Sequence, residues 1–136
     1  MLAERVDASS GRAIVARDEG AYLGIYIAGV AGEGTGGRDY LTIKYEDSDT
    51  TLPVQSWAQI WDGPLSLDDV AKGITLQPNG LLYVAGWSAL YTQDYLVLEY
   101  DPETGVLLDA FRYDDGSQEA LESLGCFSVP GYPVIR

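Results

Sequence analysis

The chain of 136 residues contains no histidine and a single cysteine, Cys126. The first absence excludes Ser-His-Asp and Cys-His nucleophilic sites and every histidine-ligated metal centre. The second leaves no thiolate set for zinc and no intrachain disulfide. Cys126 lies in the apolar stretch Leu124 to Val129 and reads as a buried, inert thiol. Basic residues are scarce too: eight Lys and Arg stand against 21 Asp and Glu, a net charge of −13. Residues 1 to 68 carry five basic and eleven acidic side chains and residues 69 to 136 carry three and ten, so the acidity is spread over the chain and is not a tail. Such a surface repels phosphate backbones and anionic lipid, which argues against nucleic-acid and membrane partners and favours cations or basic groups. No apolar run approaches the roughly 20 residues that span a bilayer. The glycines between Gly29 and Arg38 are followed by neither a helix nor a Gly-Lys-Ser/Thr sequence, so they read as a loop and not as a phosphate cradle.

What is present is a repeat. Ile25 to Gly29 (IYIAG) recurs as Leu82 to Gly86 (LYVAG), and Asp39 to Glu46 (DYLTIKYE) recurs as Asp94 to Asp101 (DYLVLEYD). The flanks extend the match: Gly11 to Gly20 resembles Ala71 to Gly80, and Trp57 to Gly63 resembles Asp109 to Gly116. Each unit therefore holds four short segments, and periodicity of this kind marks stacked architectures. Leu41, Ile43 and Tyr45 alternate with Tyr40, Thr42 and Lys44, a period of two that belongs to strands. Neither face is purely polar, as expected of a sheet covered on both sides. Pro78-Asn79-Gly80, Asp18-Glu19-Gly20 and Asp101 to Gly105 supply turn chemistry between the runs. Strands are expected near residues 12–17, 22–29, 39–45, 56–61, 72–77, 81–87, 94–100 and 107–113, with a ninth near 124–129. A helical turn fits only Leu65 to Lys72 and Ser117 to Leu124.

Asn79 to Gly86 (NGLLYVAG) and Gln93 to Gly105 (QDYLVLEYDPETG) resemble the bacterial SBBP, or seven-bladed β-propeller-like, repeat. The resemblance covers about residues 5 to 116. It implies an all-β fold of two four-stranded antiparallel β-propeller blades plus an extra C-terminal strand, in one domain spanning residues 1–136. Repeat one is placed at about 5–62, repeat two at about 63–116 and a partial third at 117–136. It identifies a fold repeat and no reaction. Two blades are fewer than the four to eight of a closed ring, so the expectation is a homo-oligomer that completes a propeller, or a piece of a longer one. The competing architecture is a single β-sandwich of eight or nine strands with cleaner polar outer faces. The first residues lack the layout of a signal peptide, while the resemblance allows a secreted or cell-surface protein.

No catalytic constellation, cofactor motif or metal-ligand pattern emerges. In an up-and-down blade the loops after the second and fourth strands share one end, which carries Arg38, Asp62, Asp68, Asp69, Trp87, Tyr91, Asp114 and Asp115. Aromatic platforms beside carboxylates suit a glycan or a basic peptide. The competing reading is that Trp57, Trp61 and Trp87 pack between blades and the aspartates hold turns. Asp39 and Asp94, each just before a tyrosine, are expected to pin their blades. Glu46 to Asp49 offers oxygen ligands but lacks the glycine and terminal glutamate of a calcium loop. The leading expectation is a non-enzymatic binding or assembly module. The alternatives are a glycoside-active enzyme using loop carboxylates and a purely structural propeller fragment.

Overall fold

The computed structural model describes residues 9–32, 37–50, 52–62, 67–89 and 93–113. They form eight strands: β1 (Ser10–Asp18), β2 (Leu23–Ala31), β3 (Asp39–Asp47), β4 (Val54–Trp61), β5 (Asp69–Leu76), β6 (Leu82–Ala89), β7 (Gln93–Tyr100) and β8 (Leu107–Tyr113). Two four-stranded sheets result, with orders β1-β2-β3-β4 and β5-β6-β7-β8, and all neighbours are antiparallel. Among the described residues no strand crosses from one sheet to the other, as a Greek-key sandwich would require. Each sheet is a meander of the kind found in a propeller blade.

The hairpin turns form where the backbone can be bent cheaply. Gly20 and Gly80 adopt φ of 99° and 90°, and the preceding side chains close the turns: Gly20 N donates to Asp18 Oδ1 and Leu81 N donates to Asn79 Oδ1, both at 2.9 Å. The expected helical turn over Leu65 to Lys72 is corrected from Asp69 onward; residues 65 and 66 lie outside the described residues. β5 already begins at Asp69, because Asp69 N donates to the Arg38 carbonyl at 2.6 Å and its side chain accepts from Ser88, which draws this segment into extended pairing. The second helical turn, at 117–124, and the ninth strand, at 124–129, lie outside the described residues.

The repeat reaches down to the irregularities. A register shift falls between Gly11 and Ala13 in β1 and at the equivalent Ala71 and Gly73 in β5; a second pair falls at Lys44/Tyr45 and at Glu99/Tyr100. Opposite the first pair stand Gly29 and Gly86, where a Cβ would run into the Ser10 and Val70 carbonyls respectively. A strand glycine at such a bulge admits the neighbouring backbone, which explains why Gly29 and Gly86 recur.

The core lies between the sheets. Tyr26, Ala28, Tyr40 and Trp57 of the first sheet pack on Ala71, Ile74, Leu82, Val84, Leu96, Leu98 and Tyr100 of the second. Two polar ties register them: Tyr40 donates its hydroxyl to the Leu96 carbonyl at 3.0 Å, and Trp57 Nε1 donates to the Pro102 carbonyl at 2.9 Å. The Trp57 ring also stacks on Tyr100 at 6.0 Å. Buried Lys44, with only 1% of its side chain exposed, lies 3.7 Å from Glu19 and 3.9 Å from Glu46 and over the faces of Tyr22 and Tyr26.

Candidate functional site

Antiparallel order brings the β2–β3 and β6–β7 connections, the end of β4 and the start of β5 to one end. Arg38, Asp68 and Trp87 meet there. The Arg38 guanidinium donates to Asp68 Oδ2 at 2.9 Å and lies 5.6 Å from the Trp87 ring centre, while Arg38 N donates to Asp68 Oδ1 at 3.0 Å. The hydrogen bonds from Arg38 hold the Asp68 carboxyl below its ordinary range, against partial burial. These contacts tie the first sheet to the second. Asp69 is fully buried and accepts from the Ser88 hydroxyl at 2.6 Å. Asp62 is exposed at the rim. Tyr91, Asp114 and Asp115 lie outside the described residues.

Asp39 joins Asp62 and Asp69 in a group whose carboxylate oxygens lie within 4.8 Å of one another. It is the one such trio among the described residues, and hard cations prefer oxygen donors of this kind. Burial, a hydrogen bond with Asp62 and the charges of Asp62, Asp69 and Asp68 push the Asp39 carboxyl up to about 6. Its repeat equivalent, Asp94, has a different neighbour. Asp94 is fully buried and accepts from Arg112 at 2.9 Å, and Arg112 also donates to the Ser88 hydroxyl at 2.8 Å. At the position of Arg112 the first sheet has Ile60, so Asp39 lacks that cation. Asp39 was legible as a recurring residue, but nothing along the chain connects it to Asp62 and Asp69.

A second feature lies on the broad side of the first sheet that faces away from the core. The residues that bury the second sheet have repeat equivalents in the first: Ile74 corresponds to Ile14, Leu82 to Ile25, Val84 to Ile27, Leu96 to Leu41, Leu98 to Ile43 and Tyr100 to Tyr45. Cross-strand pairing of Ile14 with Ile27 and of Ile27 with Ile43 puts them on one side. Ile74 is 7% exposed and Ile14 is 66% exposed, while Leu41 is buried and Ile25, Ile27, Ile43 and Tyr45 are half-buried, so the surface covered in the second sheet is partly open in the first, most of all at Ile14. Into this partly open surface sinks a recess of about 220 Å³, lined by Ser10, Gly11, Ile27, Gly29, Leu41 and Ile43 among others. A larger hollow of about 340 Å³ lies at the opposite end of the molecule, between the Asp18 to Leu23 turn and Asp47 to Asp49. Comparison with protein-family models, with curated proteins and with solved structures gives no match.

Proposed function

We propose that this chain is a non-enzymatic β-propeller module of the SBBP type whose work is assembly, supplying two blades to a larger stack. The observation that carries the reading is the paired state of one surface: buried around Ile74 in the second blade, partly open around Ile14 in the first. Apolar area of this kind is worth about 25 cal/mol per Å² when covered, so a partly open blade face is a drive to associate. Three chains would supply six blades, within the range of closed propellers. For glycoside cleavage, the Asp68/Asp69 pair gives little support: Asp69 is fully buried against Ser88, and Asp68, though 42% exposed, is bound to Arg38.

A second reading keeps the loop end as a ligand site. Exposed Asp62 beside the crowded Asp39 favours a cationic group, such as the side chain of a basic peptide, over an anion. Its test is a peptide array with Asp62→Asn as control, and binding that ignores the substitution rejects it. The assembly reading is tested by multi-angle light scattering of the chain over micromolar concentrations. A mass above that of one chain is expected, and a monodisperse monomer throughout contradicts it.

A further inference from the structure

The internal contact between the two sheets has the form of a key and a socket. Tyr40, on β3, crosses to the second sheet and brings its hydroxyl to 2.9 Å from the place a Cβ on Gly86 would occupy. There it donates to the Leu96 carbonyl. The missing side chain at Gly86, beside the bulge at Ala71, makes the room.

Both halves of this device occur a second time. The equivalent of Gly86 is Gly29, beside the equivalent bulge at Gly11, and there the first sheet has the recess of about 220 Å³. The equivalent of the Leu96 carbonyl is that of Leu41, a residue that lines the recess. The equivalent of Tyr40 is Tyr95 on β7. Tyr40 is braced by Trp61 at 6.1 Å, and Tyr95 by the equivalent Tyr113 at 6.0 Å. Tyr95 stands with Tyr83 and Phe111 on the side of the second sheet that takes no part in the core between the sheets.

We infer that Tyr95 of one copy enters the Gly11/Gly29 recess of a second copy and donates its hydroxyl to the Leu41 carbonyl there, so that copies stack head to tail. This inference rests on the assembly reading and names its partner. The contact is heterologous: each copy offers one key and one socket, and the product is a ring if the rotation closes or a filament if it does not. The stack is weaker than the internal contact. Trp57, which anchors the internal contact, is replaced on the key side by Asp109, and Lys44 by Glu99. On the socket side Asp47 takes the place of Pro102, so carboxylates face each other and added salt strengthens association by screening them.

The test uses three full-length variants. Ile14→Glu puts a charge beside the socket, next to Ile27 and at the equivalent of core residue Ile74, at a position already 66% exposed, so its own fold is not at stake. Tyr95→Ala removes the key, and Tyr95→Phe keeps the ring and removes only the hydroxyl, which should weaken association about 3- to 10-fold. Circular dichroism of each variant checks the fold. By sedimentation velocity each of the first two should be monomeric alone. Mixed, they should give a one-to-one dimer that grows no further, because one good key meets one good socket. Wild-type association that persists in Tyr95→Ala, or a mixture that stays monomeric while the wild type associates, overturns the key and socket and leaves the assembly reading standing. A wild type that is monomeric throughout removes both.

Discussion

The indole N–H of Trp57 in the first sheet donates to the carbonyl of Pro102 in the second, 2.9 Å away, and the same ring covers Gly105. A Cβ on Gly105 would lie 2.5 Å from the ring, and φ there is 78°, a region that L-residues enter reluctantly. Gly105→Ala therefore meets two penalties at once. It should lower the unfolding free energy by about 2 kcal/mol or more, read by urea denaturation with tryptophan fluorescence as probe. Gly80→Ala has a similar φ of 90° but no neighbour within 4 Å, and should cost about half as much.

Tyr40 provides another tie. Its ring is fully buried, so Tyr40→Phe leaves the packing intact and orphans one acceptor on Leu96. A loss of about 1 kcal/mol is expected from chemical denaturation. No loss would mean that the hydroxyl contributes nothing to registering the sheets.

Lys44 and Glu19 form a buried pair at 3.7 Å, with 1% and 8% of their side chains exposed. Burial alone would raise the Glu19 carboxyl, but the hydrogen bond from Tyr26 and the charges of Lys44 and Arg17 outweigh it and hold the group below its ordinary value of 4.5. A depressed carboxyl contributes stability above its unfolded pKa and loses it as pH falls through the folded one. Glu19→Gln should cost about 1 to 2 kcal/mol near neutral pH, because it leaves the buried ammonium with only the more exposed Glu46, 3.9 Å away. The difference from wild type should shrink as the solution is acidified below 4.5, which a pH series of denaturation midpoints reads directly.

Asp39 carries the opposite sign. Its carboxyl is raised to about 6 from 3.8, so the folded state holds the proton more tightly than the unfolded one. Stability from this group is complete below 3.8 and declines as pH rises through about 6. Partial exposure limits the effect to about 1 kcal/mol. Ile60→Arg restores the cation that Arg112 gives to Asp94, at a side chain already 50% exposed. This variant should lower the Asp39 pKa and flatten the decline, as followed by carboxyl NMR shifts; an unchanged titration would refute the comparison of Asp39 with Asp94.

Much of the fold was legible because its signals are local. Alternation in Leu41 to Tyr45, and turn residues such as Asn79-Gly80, fix strand and hairpin positions within a few neighbours, and β1 to β8 fall where those patterns place them. Asp69 to Lys72 misled because their extended form depends on pairing with β6 and on Arg38, about 30 positions away in sequence, whose carbonyl accepts from Asp69. The candidate site was legible in composition but not in connection. Arg38, Asp68 and Trp87 were recognised as neighbours at one end, yet their mutual engagement is a through-space fact. The trio of Asp39, Asp62 and Asp69 likewise joins three elements that no spacing rule links. Recurrence of Gly29 as Gly86 was visible as well; that one of them receives a tyrosine from the neighbouring sheet was not.

The most direct measurement is photo-crosslinking from position 95 in an equal mixture of isotopically light and heavy chains, read by mass spectrometry. The account predicts mixed-isotope links from position 95 to peptides containing Gly11, Ile27 or Leu41. Links from 95 to 95, or captures that avoid the first sheet altogether in a sample that does associate, would contradict it.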